Sequence, residues 1–200
     1  VTLDFWRKFM TGKERIAEQS RQWLWESFLD LLKQTDYAQI TISKIAQHAE
    51  LDRRTFYRSF RDKQDLIDWY IKNTIIAYHE ILSKENPADL KIEDGIKLIF
   101  DFWWQQRQSL SILIQNDLAS RFLTFWEPDA NEWYQTFNTP WHINGSQKEI
   151  TYIMTYSTGG FWNVIQHWLG SEDPDEPEQM ATVMVKTLRQ LSKSFGESSV

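Results

Sequence analysis

Residues 41–66 read TISKIAQHAELDRRTFYRSFRDKQDL, and this stretch decides the fold. Thr41 is a natural N-cap, and Ile42, Ile45 and Ala46 behind it fall on one helical face, so the first helix runs to about Ala49. Glu50 and Leu51 form a tight turn. Asp52 is a second N-cap candidate, and a short helix follows over Arg53 to Phe60. Phe56 and Phe60 lie four apart and anchor its apolar face. Arg53, Arg54, Thr55, Arg58 and Ser59 are left for solvent or for DNA, and Tyr57 sits at the border, where its hydroxyl reaches a backbone phosphate. Two short helices joined by a tight turn, with longer helices on both sides, make a helix-turn-helix. The second helix then offers its polar face to the major groove. Arginine can donate to guanine edges and threonine can touch a thymine methyl.

The surrounding segments are helical too. Upstream, Glu14 to Lys33 places Ile16, Trp23, Leu24, Phe28, Leu31 and Leu32 on a common stripe, and Gln34 to Ile40 is a link. Downstream, a helix from Asp62 to Ser83 turns Leu66, Ile67, Tyr70, Thr74, Ile75, Tyr78 and Leu82 inward. Lys84 to Leu90, with Asn86-Pro87, is a loop. Further helices are expected over Ile92 to Arg107, Leu110 to Asn116, Leu118 to Phe137 (kinked or broken at Pro128), Ser146 to Trp168 and Glu178 to Phe195. The reading is an all-α chain: a leader over 1–13, a three-helix DNA-binding domain with its connecting helix over 14–83, and a helical regulatory and dimerisation domain over 84–200.

Composition restricts the function classes. The 200 residues are 42% hydrophobic and 25% charged, enough for a core and not the signature of disorder. With no cysteine, disulfides and thiolate metal sites are excluded. His48, His79, His142 and His167 are scattered without ligand spacing, and neither a phosphate loop nor a nucleophile elbow occurs. No catalytic residue, metal or cofactor is therefore expected. No segment has the length of a membrane span, and a cytoplasmic setting fits. The net charge is -6, yet Arg53 to Lys63, RRTFYRSFRDK, holds one acid, whereas Ser171 to Glu178 reads SEDPDEPE. Positive charge is local, as a small DNA-binding face requires.

From Ile16 to Ile71 the chain resembles the DNA-binding domain of TetR-like transcription regulators. The resemblance rests on Ile40-Thr41-Ile42, Ile45-Ala46, Ala49, Arg54-Thr55-Phe56-Tyr57, Phe60, Asp62-Lys63 and Leu66. More narrowly, RRTFYxxFxDKxxLIxW and, further on, YSTGGFWNVIQHWL over Tyr156 to Leu169 are similar to the branch that includes regulators of dihydroxyacetone kinase genes. The resemblance implies that Thr41 touches a phosphate, that Arg53, Arg54 and Thr55 approach bases or nearby phosphates, and that Tyr57 and Lys63 clamp the backbone. Arg58 joins this set as an outward-facing cation. Two positions depart from the family: Glu50 replaces a usual glycine and Ser59 a frequent histidine.

The resemblance also implies a homodimer, formed by the last two long helices, on a near-palindromic duplex. Phe161, Val164, Ile165 and Trp168 on one helix and Val183, Met184, Leu188 and Leu191 on the other are the expected contact. With 11 Trp and 12 Phe, the C-terminal region has the aromatics to line a small-molecule pocket, with Trp103, Trp104, Phe122, Trp126 and Tyr156 as candidates, although such residues also build cores. The competing reading is a protein-binding module of the same fold with little DNA affinity. Glu50 and the acidic total keep it open.

Overall fold

The computed structural model describes residues 11–196, so most of the expected leader over 1–13 lies outside the described residues. Nine α-helices occur among them: α1 Gly12–Leu32, α2 Ile42–His48, α3 Arg53–Ser59, α4 Lys63–Leu82, α5 Ile92–Gln105, α6 Arg107–Gln115, α7 Arg121–Tyr134, α8 Gln147–Leu169 and α9 Pro177–Gly196. One 3-10 turn, Tyr37–Gln39, precedes α2. No strand occurs among the described residues. Local chemistry sets several helix starts. Thr11 with Glu14, and Ser146 with Glu149, form reciprocal capping boxes that satisfy free amide groups at the N-termini of α1 and α8. Pro177 opens α9, where its missing N–H costs nothing.

The chain divides into two compact units. The first takes in the residues up to Ile81 together with Ile112–Phe125; the second takes in Leu82–Ser111 and the residues from Trp126 onward. In the first, α1 packs on α2 and α3, and α2 packs on α3. Its core holds Leu24, Phe28, Ile45, Phe56, Leu66, Ile67 and Ile71, each with no exposed surface. Trp25 stacks on Tyr70 with ring centroids 4.1 Å apart. The segment 112–125 closes this unit: Phe122 meets Tyr70 edge-on at 6.2 Å, and Arg121 grips Asp68 through two 2.8 Å hydrogen bonds.

In the second unit α9 packs along α5, aided by an Arg189–Glu93 ion pair, and α8 also touches α5. Trp103, Trp126 and Trp162 form a buried triangle with centroids 5.3, 5.5 and 6.0 Å apart. Phe100 and Trp104 pack on Trp168, edge-on and stacked respectively.

Three expectations change. Ile16 and Trp23 are exposed, at 68% and 46%; the inward face of α1 is carried by Leu24, Trp25, Phe28 and Leu32 instead. The run WLWESFLDLL has apolar residues on more than one face, so periodicity alone does not choose between Trp23 and Trp25. The helix expected over 118–137 is shorter, Arg121–Tyr134, and runs through Pro128 without a break. Pro128 and Thr124, whose carbonyl loses its partner, are both exposed, so water can replace the missing bond. The helix expected over Leu110 to Asn116 begins earlier, at Arg107, with Gln106 alone separating it from α5.

Trp162→Ala should lower stability by about 3–5 kcal/mol, because it empties one corner of the tryptophan triangle. Trp162→Phe should cost less. Urea unfolding followed by circular dichroism measures both.

Candidate nucleic-acid interface

The site is assembled from α2, α3 and the first turn of α4. Thr41 caps α2 as expected: its Oγ1 accepts the Lys44 amide N–H at 3.2 Å. The Thr41 hydroxyl proton is left over, and the residue is exposed. On the inner side Ile45 and Ala46 are buried. Phe56 in α3 and Phe60, the residue that ends it, are 0% and 3% exposed, with centroids 5.6 Å apart, and Trp69 closes on Phe60 edge-on at 5.8 Å. These anchors fix the rotation of α3. Arg53, Arg54 and Arg58 are exposed, Arg54 and Arg58 on the side away from these rings and Arg53 at the first turn, and Thr55 and Ser59 are half-buried. Asp52 occupies the N-cap position, but its side chain makes no capping bond; its carbonyl accepts the Thr55 N–H at 2.8 Å.

Arg53 and Tyr57 act as a pair. Arg53 Nη2 donates to the Tyr57 hydroxyl oxygen at 2.9 Å, and its guanidinium lies 5.2 Å from the ring centroid. Tyr57 stays 47% exposed and keeps its own O–H to donate to an acceptor. Arg61, by contrast, is committed to Asp65 through its backbone N–H and two guanidinium nitrogens. These bonds hold the Asp65 carboxyl below its ordinary pKa. Asp62 accepts the Asp65 amide at 2.8 Å and so caps α4.

Lys63 is placed differently from the expectation of an open backbone clamp. Its Nζ donates to the carbonyls of Tyr37 and Ile40, each at 2.6 Å, and stands 4.1 Å above the Tyr37 ring. Burial pushes the ammonium below the usual lysine range. Sequence pattern did not reveal this, because the partners are carbonyls more than twenty residues upstream.

The turn between α2 and α3 holds a non-glycine residue in the left-handed region. Leu51 N–H bonds the Ala46 carbonyl at 2.9 Å and Glu50 N–H bonds that of Gln47 at 3.1 Å, a Schellman ending with Glu50 at φ +54°. Glycine is the usual occupant of this left-handed position. Asp117 repeats the arrangement after α6, with φ +56° and a Leu118-to-Leu113 bond of 2.9 Å.

Residues 29–68 match the family described as "Bacterial regulatory proteins, tetR family", and residues 91–190 match "Transcriptional regulator C-terminal region". The chain belongs to the TetR family. Its α2–α3 pair is the helix-turn-helix of that family of regulators. The HTH-type dhaKLM operon transcriptional activator DhaS of Lactococcus lactis subsp. lactis (strain IL1403) is 34% identical over 65 residues, 32% of this chain and 34% of that protein. An uncharacterized HTH-type transcriptional regulator, YxbF of Bacillus subtilis (strain 168), is 35% identical over 82 residues, 39% of this chain and 22% of that protein. The matches thus span well under two thirds of these relatives' own lengths. Among solved structures, the dihydroxyacetone kinase operon activator DhaS aligns with a TM-score of 0.57 at 20% identity, over 87% of this chain and 96% of that one. A TetR transcriptional regulator from Streptococcus agalactiae 2603V aligns with a TM-score of 0.56 at 19% identity, over 88% and 96%. These two likenesses show the fold. Among the described residues no group of three or more His, Asp or Glu side chains is placed to hold a metal ion, and no helix is long and apolar enough to cross a membrane.

The structure also places the two other expected residue sets. Of the expected subunit contact, Ile165 and Trp168 are 0% and 4% exposed and belong to the chain's own core. Phe161, Val164, Met184 and Leu188 are half-buried, and Val183 and Leu191 are exposed. Of the expected pocket, Trp103 and Trp126 fill each other's faces at contact distance, Trp104 is stacked on Trp168, and Phe122 belongs to the first unit. Tyr156 is 76% exposed and lines no interior.

Glu50→Gly should raise stability by about 1 kcal/mol by relieving the left-handed backbone. It should also strengthen duplex binding by removing a negative charge. Glu50→Gln isolates the charge effect; denaturant melts and salt-matched titrations measure the two separately.

Proposed function

We propose that this chain regulates transcription by binding a near-palindromic duplex as a homodimer, with α3 in the major groove. The observation that carries the reading is the exposed Arg53, Arg54 and Arg58 on a helix anchored to the core by Phe56 and Phe60. In a chain of net charge -6 this concentration of cations is local, and family membership supports its use on DNA. Thr41 and Tyr57 hold outward hydroxyls for phosphates, and Arg54, which has no role in the packing just described, is assigned to base edges. Residues 14–83 carry this activity, and 84–200 carry regulation and pairing of subunits. A small molecule or a partner protein acting on the latter part would set DNA affinity. The printed role of DhaS as an operon activator supports the transcriptional reading. A DNA target places the chain in the cytoplasm.

The subunit contact is assigned to the open faces of α8 and α9. Tyr152 and Tyr156 on α8 are 65% and 76% exposed, and Val183 and Leu191 on α9 are 56% and 42% exposed. Gly159 and Gly160 lie mid-helix, where each costs about 1 kcal/mol relative to alanine. Nothing in the chain itself comes within 4 Å of where their Cβ atoms would stand. Close approach of a second α8 accounts for the pair, and near-two-fold protein symmetry then calls for two half-sites.

Arg54→Ala should change preference among related duplexes, by about 1–3 kcal/mol at the affected base pair. A uniform loss across all duplexes would make Arg54 a backbone contact instead. Wild-type protein that retains no fragment of its own upstream region at low salt would favour the protein-binding alternative.

Val183→Asp and Gly160→Leu should each give folded monomers, and Arg58→Ala should leave the dimer intact. Sedimentation with circular dichroism reads this. Dimers in all three variants would place the contact elsewhere.

A further inference from the structure

The carbonyl end of the 3-10 turn is held by two lysines. Lys44 Nζ donates to the Gln39 carbonyl at 3.3 Å. Lys63 Nζ donates at 2.6 Å to both the Tyr37 and the Ile40 carbonyl, and the Tyr37 ring face lies 4.1 Å from it. An ammonium has three N–H donors. At Lys63 two are taken by carbonyls, in charge-assisted bonds, and the ring faces the nitrogen as well. The ring is itself fixed, because it meets the fully buried Phe28 of α1 edge-on at 6.1 Å.

We propose that Lys63 is a positioning residue of the DNA-binding face and not one of its phosphate contacts. The proposal rests on the DNA-binding reading above and adds to it. Ile40 is the last residue before the helix-turn-helix, and Lys63 is the first residue of α4 after it. The bond between them ties the two ends of the motif together. Fixing the Ile40 carbonyl also fixes the peptide plane that carries the Thr41 nitrogen. That sets the start of α2, where Thr41 Oγ1 caps the Lys44 amide and turns its hydroxyl outward. Two of the three donors are committed to carbonyls and the ring covers the remaining side, so a phosphate would have to displace the ring or one of the two short bonds.

The test uses the full chain and a mixed-sequence duplex. Lys63→Met keeps the aliphatic stem and removes the ammonium. Its duplex affinity should fall about tenfold, the thermal midpoint of the free protein should drop, and the slope of log affinity against log salt should stay that of wild type. A slope smaller by about 0.9 with an unchanged midpoint is the mark of one lost phosphate contact and overturns the proposal. A variant that binds like wild type overturns it as well. Should the variant not fold, the wild type decides by NMR of nitrogen-15 lysine. A Lys63 ammonium protected from hydrogen exchange in the free chain, and unmoved by the duplex, supports positioning; one in fast exchange, or shifted by the duplex, overturns it. Wild-type protein that ignores the duplex removes the DNA-binding reading and this proposal together, whereas a normal wild type with a slope-reduced variant removes the proposal alone.

Discussion

The burial of Phe56 and Phe60 is the constraint on which the DNA-facing surface depends. α3 has seven residues, too few to persist as a helix in water without tertiary support. Two aromatic rings four residues apart supply that support, and they also set which way the helix faces. With both rings inside, Arg53, Arg54 and Arg58 cannot fold back onto the core, so three charges stay in solvent where a polyanion can reach them. α2 is held to the same core through Ile45 and Ala46. The geometry of recognition thus follows from apolar packing, with the Lys63 ammonium bonded to the carbonyls just ahead of the motif.

Electrostatics sort the cations around this face into different states. Arg54 and Arg58 are exposed, Arg53 is steered by the Tyr57 hydroxyl, and Arg61 is neutralised by Asp65. A count of basic residues between Arg53 and Lys63 therefore overstates the charge that a duplex would meet. Glu50 subtracts further, on a backbone conformation that glycine would adopt without strain.

Much of this was legible in the sequence. The two caps, the tight turn and the four-residue aromatic spacing give the helix-turn-helix, and the Glu50 strain follows from a non-glycine residue at a Schellman corner. What the sequence concealed has a common physical form. Lys63 is caged by carbonyls, and a carbonyl has no side-chain identity to read. Ile165 and Trp168 share an apolar stripe with Phe161 and Val164, and periodicity shows that a stripe is apolar without showing how much of it the same chain covers. The tryptophans of α5 and α7 suit a core more readily than a pocket, and periodicity does not show which rings meet; Trp103 and Trp126 lie with centroids 5.3 Å apart. Pro128 looked like a break, but the carbonyl it orphans is on an exposed side of the helix, where the penalty is small.

The discontinuity of the first compact unit has a consequence for how the protein is made. Asp68 and Tyr70 find their partners in Arg121 and Phe122, some fifty residues later in the chain. A nascent chain emerging from the ribosome only as far as the end of α4 has an acid without its guanidinium and a ring without its edge contact. Folding proceeds in units during synthesis, yet this unit is not finished when its helix-turn-helix has been translated. It is finished only once α6 and the start of α7 have emerged. The contacts that complete the first unit therefore become available only after residues 82–111 of the second have been synthesised.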